Sequence, residues 1–238
     1  MRSAGVAWLL DLYGFQVYTI IGGYKAFRTW VLAQFGKDYK FKILGGYTGS
    51  GKTVLLKELA EQGEAVIDLE RLAHHKGSAF GALGEKPQPK QEMFENLLAT
   101  ALHNKADKTI WLEDEAQRIG SNTIPNALWP GMRSSPVYFL DIPFEERLVH
   151  IINGYGKFEK EKLADSITRI QKRLGGLEMK NALAFLETDD ISGCFSILLK
   201  YYDKLYAKSL TNRENLDALL MKIPCETVQP GNAQKLLS

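Results

Sequence analysis

The stretch from residue 46 to residue 53, which reads GYTGSGKT, constrains the fold of this chain more than any other part of its sequence. It fits the pattern G-x-x-x-x-G-K-[ST] at every defined position. An apolar segment precedes it and a helical stripe of apolar residues follows it. Strand, glycine loop and helix in this order predict a P-loop that surrounds a phosphate group. A glycine turn before an ordinary helix is the alternative.

The residues of this loop have different predicted roles in binding an anion. Backbone N–H groups converge on the phosphate because glycines leave room for it, and the start of the next helix adds a positive dipole end. Lys52 is predicted to counter the negative charge as a catalytic residue, and the Thr53 hydroxyl is a candidate Mg²⁺ ligand. The predicted phosphate-binding residues are Gly46, Gly49, Ser50, Gly51, Lys52 and Thr53.

Carboxylates follow two of the predicted strands. Glu113, Asp114 and Glu115 end the apolar segment TIWL, where P-loop proteins hold an acid for Mg²⁺ or water. Glu113 is favoured as catalytic because it follows the strand directly, and a solvated strand end is the alternative. Asp68 ends another strand and is a second catalytic candidate, as a base or metal-orienting acid. Its alternative is the N-cap of the next helix.

Strands and helices alternate along the middle of the chain. Residues 39–45, 64–70 and 136–143 are predicted strands, the segment 108–120 supplies another that runs into acidic residues, and helical segments join them. Such alternation predicts an α/β fold, namely a P-loop NTPase-like three-layer sandwich with a parallel central sheet. Ligands would bind outside the carboxyl ends of the strands.

The ends of the chain differ from this middle part. Residues 1–38 predict a helix, a buried strand over residues 16–23 and a second helix, which resembles the closing third of another sheet domain. Residues 39–143 form the predicted P-loop domain. Residues 144–238 are a mostly helical region and a candidate for tRNA binding, with a short strand predicted near residues 222–228.

Net charge, cysteine content and hydropathy indicate how the protein could bind RNA and in which compartment it is expected. Thirty basic and 28 acidic residues give a net charge of +2, so an RNA site would have to be a local basic patch. Cys194 and Cys225 lie far apart without metal-ligand spacing, which favours buried thiols in a reducing compartment. No apolar run has the length of a membrane span and no signal-peptide pattern opens the chain, so we expect a cytoplasmic protein without membrane contact.

One basic patch is predicted in the C-terminal region. Arg169, Lys172 and Arg173 have the spacing i, i+3 and i+4, which places them on one face of a predicted helix. These side chains are candidates for contacts with the tRNA backbone, and a solvated helix face is the alternative. The tyrosines of the segment YYDKLY are expected to pack in the core, with stacking on a base as the alternative.

Other candidates lie in loops around the predicted site. The glycine- and proline-rich loop 77–91 is expected to border the substrate. His74 and His75 are adjacent and project in different directions, which makes them a poor metal pair. Arg133 and Arg147 lie beside the fourth strand, where an arginine can hold the far phosphate of a ligand, and an ordinary surface residue is the alternative for each.

The order of these motifs resembles one known family. The segments RSAGVAWLLDLYGF and IIGGYKAFRTW resemble the end of a rhodanese domain. Joined to LGGYTGSGKT, DLERLAHHKGSAFG and QPKQEMFEN, they resemble bacterial tRNA 2-selenouridine synthases, which fuse a rhodanese domain to a P-loop domain. The resemblance extends from residue 1 to about residue 206.

This resemblance implies a transferase that acts on 2-thiouridine at the wobble position of tRNA. The family places a geranyl group from geranyl diphosphate on the sulfur, and selenophosphate then displaces the geranylated sulfur. Both co-substrates carry phosphate, so a P-loop here does not require ATP. Trp111, Trp129, Phe94 and Phe80 are candidate walls for the geranyl chain, with packing in the core as the alternative.

One departure from the family concerns its catalytic cysteine. Family members carry this cysteine in a Cys-x-x-Gly-Gly-Met-Arg-Ser loop, and the present sequence begins at the matching Met-Arg-Ser. Neither Cys194 nor Cys225 matches that position. We therefore expect a chain that lacks most of the rhodanese domain, with selenium transfer in doubt and phosphate and tRNA binding retained.

Two other functions fit the same residues. A small-molecule kinase would use the P-loop with Mg·ATP and Asp68 as its base. A nucleotide-gated tRNA-binding module would bind RNA in a salt-dependent way without turnover.

Overall fold

Five parallel strands form the central sheet in the computed structural model, which describes residues 2–237. The order in the sheet is β2-β3-β1-β6-β7, and a separate hairpin pairs β4 with β5. The strands are β1 (Lys40–Gly46), β2 (Ala65–Val66), β3 (Thr109–Glu113), β4 (Arg118–Ile119), β5 (Asn122–Thr123), β6 (Val137–Asp141) and β7 (Leu220–Pro224). The predicted parallel sheet is confirmed, and β7 corresponds to the short strand predicted near the end of the chain.

The helices lie between and after the strands. A 3₁₀ turn over Pro230–Ala233 precedes the last of them. In chain order the helices are α1 (Arg2–Leu12), α2 (Gly23–Gln34), α3 (Lys52–Glu61), α4 (Leu69–Ala73), α5 (Gln91–His103), α6 (Trp129–Arg133), α7 (Phe144–Tyr155), α8 (Lys160–Arg169), α9 (Gln171–Leu174), α10 (Gly176–Glu187), α11 (Ile191–Thr211), α12 (Leu216–Leu219) and α13 (Gln234–Leu237).

Apolar side chains on both faces of the sheet produce three layers. On one face, Leu44 and Trp111 pack in a cluster with residues of α3 and α13. On the other face, Ile43 and Ile110 pack in a cluster with residues of α2, α5 and α6. Neighbouring residues of one strand thus serve opposite faces, as the two-residue period of a strand requires. The three-layer α/β fold predicted from the sequence is confirmed.

The C-terminal helices have an apolar cluster of their own. α7, α8, α10 and α11 contribute most of it, and Phe80 joins it from the loop after α4. Cys194 is buried in this cluster and Cys225 near the end of β7, and both are free thiols. The predicted helical region and the predicted buried cysteines are confirmed.

The strand predicted over residues 16–23 is not formed. Residues 15–20 have no regular secondary structure, and Ile21 is 97% exposed. A strand needs a neighbour to satisfy its backbone groups, and no strand among residues 2–237 pairs with this segment. α2 instead packs on α5 through an ion pair of 2.5 Å between Arg28 Nη2 and Glu95 Oε2, and it buries Val31 in the core of the sheet.

The strand predicted over residues 64–70 is shorter than expected. β2 ends at Val66, and Asp68 begins α4 by accepting a hydrogen bond of 2.7 Å from the backbone N–H of Arg71. This N-cap satisfies an N–H group that has no partner inside the helix, so the chain turns into a helix where the apolar pattern suggested a strand.

No helix within residues 2–237 combines the length and the apolar composition that crossing a bilayer requires.

A buried ion pair joins the C-terminal region to the sheet. Arg213 is only 5% exposed, and its Nη2 lies 2.5 Å from Oδ1 of Asp114. Its Nη1 donates to the carbonyl oxygens of Met132 and Arg133. Asp114 directly follows β3. The segment that follows α11 is therefore fixed to the edge of the sheet at which ligands bind in this fold.

We predict that Arg213→Ala lowers the free energy of unfolding by about 3–5 kcal/mol, because it leaves the Asp114 carboxylate buried without its cation. Urea denaturation measures the change. Lys204→Ala, an exposed residue of α11, is the matched control and should change stability by less than about 0.5 kcal/mol. Equal effects of the two substitutions would contradict a structural role for the pair.

Candidate active site

The P-loop follows β1 and has a shape that depends on glycine. Gly49 and Gly51 have φ angles of +85° and +72°, a region that glycine adopts without strain. A Cβ atom at Gly49 would lie 2.7 Å from the carbonyl oxygen of Arg147, and one at Gly51 would lie 2.5 Å from Cγ1 of Val228. Both positions therefore require glycine for their conformation and for space.

The two polar side chains that open α3 point into the site. The Lys52 ammonium donates to the carbonyl oxygen of Gly46 over 3.0 Å. The Thr53 hydroxyl lies 3.0 Å from Glu113 Oε1 and 3.2 Å from Glu70 Oε2. The helix N-terminus adds its positive dipole end, so a cation, backbone N–H groups and a hydroxyl meet where the sequence predicted phosphate binding.

Three carboxylates converge beside Thr53. Oxygen atoms of Glu70, Glu113 and Glu115 all lie within 4.8 Å of one another. Glu113 is fully buried, and its Oε2 has no hydrogen-bond partner among the described residues. The sequence predicted Glu113, and the structure adds Glu70 from α4 and Glu115 from the segment after β3.

Burial raises the pKa of each of these carboxyl groups, and repulsion within the cluster raises the pKa of Glu113 and Glu115 further. For Glu113 burial raises the pKa well above its ordinary value, and the charges of Glu70 and Glu115 raise it further. For Glu115 burial and the nearby Glu70 raise the pKa to about 8. Burial also raises the pKa of Glu70, while the Lys52 ammonium lowers it. The cluster therefore favours either bound protons or a cation.

Asp68 lies next to this cluster without lining the cavity. Its carboxylate caps α4, which is the alternative that the sequence left open. Burial raises its pKa, and the hydrogen bond from the Arg71 backbone opposes that effect.

The histidines are separate from the carboxylates. His74 Nδ1 lies 3.0 Å from the carbonyl oxygen of Pro87, whereas His75 lines the cavity. Among residues 2–237, the group able to hold a metal ion consists of glutamates and contains neither histidine.

A chain of hydrogen bonds holds the first residue of the P-loop. The Gly46 N–H donates to the Tyr206 hydroxyl over 3.1 Å, and that hydroxyl donates to Asp114 Oδ2 over 2.7 Å. Tyr206 belongs to α11, and the Asp114 carboxylate also accepts from Arg213. The helical region thus orients a backbone group at the start of the loop.

A second contact of α11 holds the middle of the loop. Arg147 is buried and forms two hydrogen bonds with Asp203, of 2.9 and 2.8 Å, while its Nη1 donates to the carbonyl oxygen of Thr48 over 3.0 Å. Arg147 therefore supports the P-loop backbone. Arg133, the other arginine noted beside this strand, donates to the Ser209 carbonyl oxygen.

These elements surround a cavity of about 930 Å³. The P-loop and the three glutamates form its polar wall. Its apolar wall belongs to the helical region and to the loop after α4, of which residues 77–80 line the cavity as predicted for loop 77–91. The residues of the apolar wall include Phe80, Ile151, Tyr155, Ile170, Leu205 and Tyr202.

The four aromatic residues proposed as walls for an apolar ligand have different positions. Phe80 lines the cavity. Trp111 and Phe94 are fully buried on opposite faces of the sheet, and Trp129 packs on the core. Core packing, the alternative noted for these residues, is correct for the last three.

The predicted basic face is divided between two helices. α8 ends at Arg169 and α9 begins at Gln171, so the expected single helix over Arg169, Lys172 and Arg173 is wrong. Gly175, with a φ angle of +100°, ends α9 after one turn. Arg169 and Arg173 line the cavity and Lys172 does not.

Sequence reasoning missed several residues of this site. Glu70 lies at the end of the segment predicted as a strand over residues 64–70, and Glu115 is one of three neighbouring acids, so neither can be chosen without the fold. Asp203 and Tyr206 lie one helical turn apart on α11, in the segment YYDKLY whose tyrosines are expected to pack in the core. A polar pair at this spacing on an apolar helix face is the signal that was available.

Comparisons with known proteins agree with this geometry. Residues 39–222 match the family model described as the tRNA 2-selenouridine synthase AAA domain. The chain is 34% identical over 235 residues to tRNA 2-selenouridine synthase of Cupriavidus pinatubonensis, covering 84% of this chain and 63% of that protein. It is 38% identical over 234 residues to that of Shewanella piezotolerans, covering 84% and 62%. For that of Sulfurovum sp. the identity is 32% over 263 residues, covering 96% and 68%. The chain thus spans about 63% of the length of the first of these curated relatives.

We predict that Tyr206→Phe weakens pyrophosphate binding about fivefold to tenfold, because the Gly46 N–H loses its acceptor and the loop loses its orientation. Isothermal titration calorimetry measures the affinity. Tyr201→Phe is the matched control, since no hydrogen bond of its hydroxyl exists within residues 2–237. An unchanged affinity in Tyr206→Phe would contradict the orienting role.

We predict a pH dependence of stability that Glu115→Gln reduces. The pKa of Glu115 is raised from 4.5 to about 8, so the folded state holds a proton that the unfolded state has released in this range. The free energy of unfolding of the ligand-free protein should therefore fall as pH rises from about 4.5 to about 8.

Glu115→Gln should flatten this slope and be more stable than the natural chain at pH 8, by roughly 1–3 kcal/mol. Urea denaturation across this pH range measures both curves, with the exposed Glu161→Gln as control. Parallel curves for the natural chain and Glu115→Gln would show that Glu115 does not titrate in this way.

Proposed function

The chain belongs to the tRNA 2-selenouridine synthase family, and from this premise we propose that it supplies the P-loop part of an enzyme modifying the tRNA wobble uridine. The proposed reaction is geranylation of 2-thiouridine from geranyl diphosphate, followed by replacement of the geranylated sulfur with selenium from selenophosphate. One observation carries the proposal: a single cavity joins a phosphate-binding loop, a carboxylate cluster and an apolar wall.

The polar wall suits a diphosphate leaving group. When the sulfur of 2-thiouridine attacks the first carbon of the geranyl chain, the carbon–oxygen bond breaks and diphosphate leaves with the electron pair. Lys52, the N–H groups of the P-loop and the start of α3 place positive charge where this negative charge develops. We therefore assign to Lys52 the catalytic role that the sequence predicted.

The apolar wall suits the hydrocarbon part of the donor. Phe80, Ile151 and Ile170 line the same cavity as the P-loop. An apolar chain attached to a diphosphate at the P-loop would therefore be buried against these side chains and removed from water. The cavity volume of about 930 Å³ lies within the range of about 300–1,000 Å³ of small-molecule sites. A donor with both a charged and an apolar end uses both walls.

The carboxylate cluster fits Mg²⁺. Glu113 has a buried oxygen without a partner, and Glu70, Glu115 and the Thr53 hydroxyl add oxygen donors of the type that this ion prefers. Bound Mg²⁺ would offset the charge of the diphosphate. We assign the ion to these residues, with Thr53 as the predicted ligand, and leave Asp68 as the cap of α4.

We predict that Lys52→Ala abolishes binding of geranyl diphosphate and leaves the fold intact, because the Lys52 ammonium lies in the site and not in a core. Calorimetric titrations with geranyl diphosphate, pyrophosphate and ATP, each with and without Mg²⁺, measure the affinities. Lys57→Ala is the matched control, since its side chain is 80% exposed on the same helix.

The natural chain should prefer geranyl diphosphate to pyrophosphate, because only the former occupies the apolar wall. A preference for Mg·ATP would instead favour the kinase or the nucleotide-gated module. Unchanged geranyl diphosphate affinity in Lys52→Ala would count against the assignment of the P-loop to the donor.

A further inference from the structure

Two arginines at the rim of the P-loop cavity have no partner in the described part of the chain. Arg169 is the last residue of α8 and Arg173 lies in α9, and both are exposed and line the cavity. Neither guanidinium forms an ion pair or a hydrogen bond with another residue between 2 and 237. The same cavity thus presents two unpaired cations in addition to the P-loop lysine.

Two tyrosines of α11 line the same cavity as these arginines. The rings of Tyr201 and Tyr202 meet edge to face, with centroids 5.0 Å apart. The Tyr202 hydroxyl accepts a hydrogen bond of 3.2 Å from the Ala79 N–H, which fixes its ring against the loop after α4. Tyr201 is half-buried, and the charge of Arg173 acts on it by lowering its pKa against the effect of burial. The Tyr201 ring therefore packs against the fixed ring of Tyr202 and lies within electrostatic reach of the Arg173 guanidinium.

We infer that Arg169, Arg173 and Tyr201 bind one nucleotide of single-stranded RNA at the rim of this cavity. The two guanidinium groups hold its phosphodiester, and the Tyr201 ring stacks on its base. This inference rests on the proposed function, to which it adds the place where the substrate nucleotide enters.

The chemistry of the three side chains favours RNA over a second small phosphate compound. Arginine matches phosphate oxygens with paired N–H donors, and base stacking on an aromatic ring is the general way in which proteins hold single strands. A free phosphate would use the arginines and leave the ring without a role. A nucleotide uses both, and it brings its base into the cavity that contains the P-loop.

The test measures binding of a fluorescently labelled RNA stem-loop by anisotropy at several salt concentrations. The variants are the double substitution Arg169→Ala/Arg173→Ala, Tyr201→Ala, Tyr201→Phe and Lys172→Ala. Lys172 is the matched control because it carries the same charge in the same segment and does not line the cavity. Pyrophosphate titration of each variant checks that the P-loop side of the site is intact.

The double arginine variant should bind the stem-loop about tenfold to a hundredfold more weakly, with a salt slope smaller by about 1 because the two arginines share one phosphate. Tyr201→Ala should lose about fivefold to a hundredfold, and Tyr201→Phe should lose less than about threefold because stacking remains. Lys172→Ala should also lose less than about threefold. All variants should keep the pyrophosphate affinity of the natural chain.

Other results would overturn the subsite. Equal losses for Lys172→Ala and the double arginine variant would indicate a diffuse basic surface, and an unchanged affinity in Tyr201→Ala would remove the stacking. If RNA binds and none of these substitutions weakens it, the subsite is wrong and the proposed tRNA function stands. If the natural chain binds pyrophosphate and no RNA, the subsite and the tRNA function both fail.

Discussion

Asp114 is held between two groups of the C-terminal region, the Arg213 guanidinium and the Tyr206 hydroxyl. Because the same hydroxyl accepts the Gly46 N–H, the ionic contact at the sheet edge continues into the first residue of the P-loop. A buried carboxylate that lost either partner would lose the stabilisation that compensates for its desolvation. The conformation of the phosphate-binding loop therefore depends on residues more than ninety positions away in the sequence.

The carboxylate cluster differs from Asp114 because the contacts of its acidic groups within residues 2–237 do not compensate for their burial. Glu70, Glu113 and Glu115 repel one another in a buried setting, and Lys52 is the cation that acts on all three. A buried carboxylate oxygen without a donor is costly unless a proton or a cation reaches it. The ligand-free site is thus electrostatically incomplete, and binding of a cation together with an anionic diphosphate would relieve it.

Local patterns explain which features the sequence could predict. The P-loop, the parallel strands and the amphipathic helices follow from spacing over a few residues, and all were found. The strand expected over residues 16–23 failed because an apolar run does not specify a pairing partner. The contact of Tyr206 with Gly46 and the break between Arg169 and Gln171 depend on tertiary packing and on Gly175, so periodicity alone misplaced these residues.

The cavity is lined by residues of the sheet domain and of the apolar cluster of the C-terminal helices. The sheet supplies the P-loop and the acids, whereas the helical cluster supplies the apolar wall, the tyrosines and the two arginines. α11 belongs to both parts: Tyr201 and Tyr202 line the cavity, Asp203 holds the Arg147 that donates to Thr48, and Tyr206 binds the Gly46 N–H. One helix therefore contacts both the rim of the cavity and the backbone of the phosphate-binding loop.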